Sequence, residues 1–347
     1  MLLYNNIDYL LRVGFELKAS DIHLTVGVPP IMRMNGDLKR YGKEILTPAD
    51  TEAMAKTIIP KNMWEMFQEK GELDFSYSIK GVSRFRINAY KQRACIAMAI
   101  RIVPTSIPSL DALKLPQILK KISEKPQGLI LITGPTGSGK STTLAAMIAY
   151  MNENMRKHII TLEDPIEYLH KHGNCIIDQR EVGFDTNNFA NGLRASLRQD
   201  PDVILVGEMR DLETIQTAIT AAETGHLVLG TLHTSSAPAT INRIIDVFPP
   251  SQQDQIRIQL ASVLVGIVSQ RLFPTADKSG RVSATEILIN NAAVANLIRN
   301  EKIHQILNIM QTSRAAGMHT LETNVKELVS AGAILKEAAL PYLQEKE

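Results

Sequence analysis

The spacing of apolar and polar residues divides the chain into two regions. In the first region, polar and apolar side chains alternate over residues 74–79 and 83–90, and a third strand-like run covers 94–103. Such alternation predicts antiparallel strands with one face in water. Residues 2–17 instead carry apolar side chains at helical spacing, which predicts an amphipathic first helix. We therefore expect a small α+β domain at the amino terminus.

Turn and capping residues mark further elements in this domain. Ser20 and Asp21 precede a short strand pattern, and Asn35-Gly36 within 32–38 predicts a hairpin turn between two strands. Thr47-Pro48 predicts the start of a helix, because threonine caps helix N-termini and proline fits the first helical position.

The pattern changes after a connector at 104–116 that contains three prolines, which marks a domain boundary. Beyond it, short apolar runs alternate with helical stretches, and the tail after about residue 285 has mostly helical spacing. The apolar runs cover 128–133, 158–162, 203–207 and 227–232. They predict strands buried on both faces of a parallel sheet. We expect an α/β protein with domains at 1–103 and 117–347.

The bulk composition is that of a globular protein and excludes several functions. Of the 347 residues, 44% are hydrophobic and 21% are charged, and the formal net charge of +2 argues against nucleic acid as the partner. Cys95 and Cys175 are the only cysteines, which excludes a cysteine-rich metal site or disulfide framework. No signal peptide is apparent, and the longest apolar stretch, near 260–268, is too short to span a bilayer. We expect a cytoplasmic protein without direct membrane insertion.

A phosphate-binding sequence follows the apolar run 128–133. Residues 134–141 match G-x-x-x-x-G-K-[ST] in full, in the strand-to-helix context that this pattern requires. Glycines let backbone N–H groups point at phosphate oxygens, and the helix N-terminus adds positive charge. We expect Lys140 to reach the β- and γ-phosphates of ATP and Ser141 to ligate Mg²⁺. The expected nucleotide contacts are Gly134, Pro135, Thr136, Gly137, Ser138, Gly139, Lys140, Ser141 and Thr142.

Acidic residues follow two other predicted strands. Glu208 follows the run 203–207, with Gly207 where a Walker B aspartate is usual. A carboxylate at this end of a parallel strand faces the crevice where ligands bind. Glu208 is the candidate general base that activates water against the γ-phosphate, and a solvated loop acid is the alternative.

The second acidic group, Glu163, Asp164 and Glu167, follows the run 158–162. Glu163 is the best candidate to position water or to bind Mg²⁺ together with Ser141 and Glu208. Helix-capping acids are the alternative, above all for Glu167.

His233 follows the run 227–232, where a polar residue is placed to sense the γ-phosphate. A structural histidine is the alternative on spacing alone.

Together these segments resemble the PilT-type pilus retraction ATPases of the secretion-ATPase superfamily. The resemblance covers almost the whole chain. It rests on residues 20–24, the phosphate loop, an acidic box at 161–167, the stretch 200–211, and a histidine box from Gly225-His226 to Ala237.

This resemblance implies a homohexameric ring with ATP between the N-terminal domain of one subunit and the C-terminal domain of its neighbour. The first domain is then PAS-like and the second RecA-like. Arg84, Arg86 and Arg101 lie on the matching strands of the first domain, and Arg86 and Arg101 are the expected phosphate contacts. His226 becomes a nucleotide-binding candidate, and Arg243 a candidate at the subunit interface.

The retraction branch is indicated by two absences and one C-terminal segment. Extension and type II secretion ATPases carry a long extra N-terminal region and commonly a four-cysteine insert, and this chain shows neither. Residues 296–299 lie where retraction ATPases carry the motif AIRNLIRE, although Val294, Ala295 and Asn300 depart from it. A packing helix with an exposed charged face is the alternative for this segment.

We therefore expect an ATP-hydrolysing motor that powers type IV pilus retraction by acting on an inner-membrane platform protein at the pilus base. Pilus extension or secretion, and DNA translocation by a RecA-like ring, are the alternatives. A regulatory ring without useful turnover is a third.

Overall fold

The computed structural model describes residues 6–34 and 36–343. The chain divides into two compact units, Met1–Ser106 and Ile107–Glu347. None of the helices within the described ranges is long and apolar enough to cross a membrane.

The amino-terminal unit is an antiparallel sheet accompanied by helices. Its elements are α1 (Ile7–Glu16), β1 (Asp21–Leu24), β2 (Ile31–Met34), β3 (Asp37–Arg40), α2 (Pro48–Ile58), α3 (Lys61–Lys70), β4 (Glu72–Ile79), β5 (Ser83–Gln92) and β6 (Cys95–Ile102). The strands lie in the order β3-β2-β1-β6-β5-β4. The α+β character expected for this region is therefore confirmed.

Alternation gives this sheet a buried and an exposed face. In β5, Phe85 and Ile87 are fully buried, whereas Arg86 between them is exposed. Successive side chains of a strand point to opposite faces, so the apolar set packs into the core. Arg101 of β6 lies directly opposite Arg86 in the ladder. The sheet thus holds the two predicted arginines side by side.

The first helix, the strand pair and the second helix predicted for this unit are all present in the structure. α1 begins after the cap residue Asn6, and residues 2–5 of the predicted helix lie outside the described residues. Strands β2 and β3 pair as predicted, although Asn35 of the turn also lies outside the described residues. A capping box between Thr47 and Asp50 confirms the predicted start of α2.

The carboxy-terminal unit is an α/β structure. Its elements are α4 (Ile118–Ser123), β7 (Gly128–Thr133), α5 (Lys140–Asn154), β8 (His158–Glu163), β9 (Ile176–Glu181), α6 (Phe189–Ser196), β10 (Val203–Val206), α7 (Leu212–Glu223), β11 (Leu227–Leu232), α8 (Ala237–Asp246), α9 (Pro250–Val263), β12 (Leu264–Pro274), β13 (Arg281–Ile289), α10 (Ala292–Arg299), α11 (Ile306–Thr312), α12 (Leu321–Ser330) and α13 (Lys336–Ala339).

The strands of this unit form one sheet in the order β13-β12-β7-β11-β10-β8-β9, parallel except for β13. Leu129 and Leu131 of β7 pack with α7, α8 and α9 on one face. Ile130 and Ile132 pack with α4 and α5 on the other. Burial on both faces explains the continuous apolar runs.

Two features of this sheet differ from the expectation. The sequence did not predict β9 or the hairpin β12–β13, and the helical tail begins only at α10. The apolar stretch 260–268 contains the change from α9 to β12 at Leu264. Periodicity alone cannot separate a short buried strand from the end of a buried helix, which explains the omission.

Candidate active site

The loop after β7 has the backbone conformation that its glycines permit. Gly134, Gly137 and Gly139 have φ angles of +142°, +77° and +89°, which favour glycine. The loop leads directly into α5, which begins at Lys140 and has 15 residues. Backbone N–H groups and a helix amino end arranged in this way bind phosphate.

Lys140 lies folded over this loop. Its Nζ donates hydrogen bonds to the carbonyl oxygens of Gly134, at 2.9 Å, and Pro135, at 3.1 Å. Burial lowers the pKa of Lys140, and the carboxylates of Glu208 and Glu167 act in the opposite direction. An anionic ligand would therefore stabilise the charged form of this half-buried amine.

A cavity of about 410 Å³ beside the loop brings most of the predicted residues together. Its lining includes Lys140, Ser141, Glu163, Glu208 and His233. Three of these follow or end parallel strands, so they meet at the carboxyl edge of the sheet. The other predicted loop residues in the lining are Thr136, Gly137, Gly139 and Thr142, whereas Gly134, Pro135 and Ser138 do not line this cavity.

Glu163 is held by a network at the end of β8. Its Oε1 accepts hydrogen bonds from Thr161 Oγ1 at 2.7 Å and Gln179 Nε2 at 3.0 Å, and its Oε2 accepts from the backbone N–H of Glu167 at 3.4 Å. Burial raises the pKa of Glu163, while these hydrogen bonds oppose the shift. Glu163 therefore has a fixed orientation. The helix-capping alternative for Glu167 is wrong, because the chain runs from β8 to β9 without a helix.

Glu208 lies two residues after the end of β10 and contacts two side chains. Its Oε1 is 2.7 Å from His233 Nε2 and also accepts from Arg210 Nε. Glu208 and His233, which follow different strands, are thereby joined. This pair suits a carboxylate that orients or deprotonates water next to a bound phosphate.

Close packing explains why Gly207 stands in place of the usual Walker B aspartate. A Cβ atom at this position would lie 2.9 Å from the carbonyl oxygen of Leu162 in β8. The Gly207 N–H donates to that same oxygen at 2.7 Å. A side chain here would push β10 away from β8, so Glu208 alone supplies the acid after β10.

The structure does not bring His226 to this cavity. His226 precedes β11 and His233 follows it, which separates them by about 20 Å along the strand. The His226 Nδ1 lies 3.0 Å from the carbonyl oxygen of Ala221. The assignment of His226 as a nucleotide contact stays a prediction.

Two of the three arginines named in the amino-terminal unit lie around a separate shallow cavity of about 270 Å³ within that unit, and Arg84 is not part of its lining. Arg86 and Arg101 line it together with Asp21, Asp74 and Asn88. Arg101 Nε donates to Asp21 Oδ1 at 3.1 Å, yet its side chain is 67% exposed. Both guanidinium groups therefore face solvent in the single chain. Arg243, on α8, is also exposed.

Several residues at the site were not predicted from the sequence. Tyr168 lines the cavity and its hydroxyl is 2.9 Å from Thr142 Oγ1. Gln179 joins Glu163 to the carbonyl oxygen of Tyr168, and Gln270 contacts the phosphate loop. Gln179 and Gln270 lie on the two unpredicted strands β9 and β12. A correct prediction of these two strands would have indicated that both glutamines lie near the site.

The donor set around the cavity fits magnesium held mainly by phosphate and water. Within 6–34 and 36–343, no group of three or more His, Cys, Asp or Glu residues is arranged to hold a metal ion. Mg²⁺ usually takes one or two protein oxygens beside substrate phosphates and waters. The Ser141 hydroxyl and the Glu163 carboxylate supply such oxygens at the cavity. Glu208 is less suited, because the Arg210 guanidinium that contacts it offsets its negative charge, whereas the donors to Glu163 are neutral.

Comparison with known proteins gives similarity over most of the chain. The family model described as Type II/IV secretion system protein matches residues 15–340. The type IV pilus retraction ATPase PilT of Pseudomonas aeruginosa is 45% identical over 334 residues, covering 96% of this chain and 97% of that protein. The type IV pilus ATPase PilU of the same organism is 43% identical over 335 residues, covering 96% and 88%. A crystal structure of the pilus retraction motor PilT with bound ADP has 46% identity and a TM-score of 0.90, covering 99% of this chain and 98% of that one. The similarity therefore includes residues of both units.

Proposed function

Because the chain belongs to the type II/IV secretion system proteins and, within them, to the PilT-type ATPases, we propose that it hydrolyses ATP to power type IV pilus retraction. One observation carries the proposal. A single cavity joins Lys140 and Ser141 of the phosphate loop to Glu163, Glu208 and His233. Phosphate binding and water activation thus meet at one place.

Each group has a defined task in hydrolysis. The loop N–H groups and the Lys140 ammonium bind the β- and γ-phosphates and offset their charge. Glu208 accepts the proton of the attacking water. His233, whose Nε2 lies 2.7 Å from the Glu208 carboxylate, contacts the terminal phosphate. Glu163, which is partly buried and hydrogen-bonded, orients the attacking water. Mg²⁺, held through Ser141 with Glu163, supplies further positive charge at the phosphates when bound.

The active assembly is a homohexameric ring in which a neighbouring subunit completes each site. Arg86 and Arg101 are the completing residues, because guanidinium groups stabilise charge spread over phosphate oxygens. Their exposure in the single chain supports this role. The ring is built from a PAS-like domain at 1–103 and a RecA-like domain at 117–347, joined by the 104–116 connector.

Mixed rings test the shared site. We expect Arg101→Ala and Glu208→Gln proteins each to be nearly inactive, and mixtures of the two to recover part of the ATPase activity. Recovery is expected because some sites then combine an intact Arg101 with an intact Glu208. Arg33→Ala, which removes an arginine that also faces Asp21, at 4.0 Å, is the matched control. A mixture no more active than its components would contradict the shared site.

The partner is an inner-membrane platform protein at the pilus base, reached from the cytoplasmic face of the membrane. The ring turns this platform without inserting into the membrane. The net charge of +2 provides little positive potential to attract DNA. We therefore favour the pilus motor over a DNA-translocating ring. Tight, salt-dependent DNA binding with stimulated ATPase activity would reverse that ranking.

Deletion of the gene tests the cellular role. We expect excess surface pili that do not retract, restored to normal by the wild-type gene or a Lys157→Ala allele but not by Lys140→Ala. Lys157 is the matched lysine, since it pairs with Asp202 away from the cavity, at 3.2 Å. Pilus imaging decides the result, and bald cells would indicate pilus extension.

The carboxy-terminal motif favours a second candidate, a PilT-type ring that does not itself retract pili. In the segment matching AIRNLIRE, four residues are buried, namely Val294, Ala295, Leu297 and Ile298, whereas Ala293, Asn296, Arg299 and Asn300 are exposed. Ala295 thus packs inward where the motif carries an arginine. Normal retraction in the deletion strain would favour this candidate.

A further inference from the structure

Strand β12 extends past the end of β7 and runs alongside the phosphate loop. Ser269 of β12 pairs with Thr133, the last residue of β7, so Gln270 lies level with the start of the loop. A Cβ atom at Gly134 would lie 2.4 Å from the Gln270 carbonyl oxygen. The loop therefore packs directly on the backbone of Gln270.

The Gln270 side chain is enclosed and uses both ends of its amide. Only 2% of the residue is exposed. Its Nε2 donates to the Ser138 carbonyl oxygen at 2.7 Å, and its Oε1 accepts from Thr143 Oγ1 at 2.9 Å. One side chain thus ties the middle of the loop to the first turn of α5.

The hydrogen bond to the Ser138 carbonyl oxygen sets the direction of a backbone N–H group that can donate to phosphate. In a planar trans peptide, the C=O of one residue and the N–H of the next point in opposite directions. Because Gln270 holds the Ser138 carbonyl, it also fixes the direction of the Gly139 N–H. Gly139 lines the cavity and has a φ of +89°. A Cβ atom there would lie 3.0 Å from Gln270 Nε2, so the fit is close.

We propose that Gln270 is a positioning residue for phosphate binding, which holds the loop so that the Gly139 N–H faces the nucleotide phosphates. This inference rests on the proposed function, because it assumes that the loop binds a nucleotide. Gln270 does not line the cavity. Its effect should therefore appear in nucleotide affinity more than in the hydrolysis step.

Gln270→Glu is the sharpest variant, because it keeps the acceptor for Thr143 but replaces the donor to Ser138 with a carboxylate oxygen. We expect the Kd for ADP and the KM for ATP to rise about tenfold or more, since an unpaired buried carbonyl is costly. We expect kcat to change by less than about threefold, since the lost interaction supports ground state and transition state alike. Full-length proteins are compared by ADP titration, ATPase kinetics and thermal unfolding.

Two further variants separate positioning from stability. Thr143→Val removes only the other hydrogen bond of Gln270 and should raise the Kd for ADP about threefold. Asn290→Leu is the matched control, because the Asn290 Nδ2 donates to the carbonyl oxygens of Ala261 and Leu264, near the amino end of β12. It should lower Tm without changing ADP affinity.

The outcomes are distinguishable. Unchanged ADP affinity in Gln270→Glu, or in Thr143→Val should the first variant fail to fold, would overturn the inference. A loss confined to kcat, or a loss of affinity equal to that of Asn290→Leu, would overturn it as well. Wild-type protein that binds no ADP would contradict the proposed function instead.

Discussion

The two edges of the parallel sheet carry the same kinds of polar residue in different surroundings. At the carboxyl edge, Lys140, Glu208 and His233 face a shared cavity. At the amino edge, Lys157 pairs with Asp202 at 3.2 Å, and His158 pairs with an aspartate on β9. A lysine, a histidine and an acid therefore make a candidate site at one edge and surface ion pairs at the other.

Backbone geometry accounts for the difference. At the carboxyl edge, the glycine-rich loop leads into α5 and presents N–H groups, and hydrogen bonds from Thr161 and Gln179 fix the Glu163 carboxylate. At the amino edge, the Asp202 carboxylate accepts the backbone N–H of His158 at 2.9 Å, so the local groups satisfy one another. Residue type alone does not define a site; the edge on which it lies does.

The largest effect is expected for Lys140→Ala compared with Lys157→Ala. Loss of Lys140 removes the cation over the loop and should lower ATP turnover about 1,000-fold or more. Loss of Lys157 removes an ion pair at the other edge and should leave turnover within about twofold. Phosphate release by the purified proteins measures both. Equal losses would break the distinction between the edges.

A large but smaller effect is expected for Glu208→Gln. The amide keeps the shape of the side chain but cannot accept a proton from water, so kcat should fall about 100- to 1,000-fold while ADP affinity is retained. Asp202→Asn, the equivalent change at the amino edge, serves as the control for ATPase kinetics and ADP titration. Full activity of Glu208→Gln would remove this residue as the base.

The smallest effect is a pH-dependent contribution of His158 to stability. Burial alone would lower the pKa of His158, but the Asp178 carboxylate and the Asp200 carbonyl outweigh it and raise the pKa above its usual value. A raised folded-state pKa stabilises the protein fully below the unfolded value, near 6.5, and the contribution is lost as pH rises through the folded value.

His158→Asn should therefore lower Tm by about 1–3 °C at pH 5.5 and by less at pH 8.5, with unchanged ATP turnover at either pH. Thermal unfolding at the two pH values checks this. A Tm difference that grows toward high pH would show that the ion pair with Asp178 is not the cause.

The sequence predicted the parts of the site that follow apolar strands. The loop 134–141, Glu163, Glu208 and His233 were found because each comes directly after a buried run. His226 precedes β11, and strand polarity alone would have placed it at the opposite edge from His233. Gln179 and Gln270 could not be found in this way, because they act through contacts across strands.

The antiparallel sheet could also be predicted from the sequence, because the alternation of polar and apolar residues over β4 and β5 indicates both the strands and the exposed face. The hairpin β12–β13 was not, since its apolar residues continue those of α9 without a break that marks the change.

The most direct test is a structure of the protein with Mg²⁺ and a non-hydrolysable ATP analogue. We predict that the terminal phosphate lies within about 3 Å of Lys140 Nζ, with Glu163 and Glu208 around it and the loop N–H groups on the phosphates. Binding of the analogue at the amino edge or away from the loop would contradict the assignment of the carboxyl edge as the ATPase site.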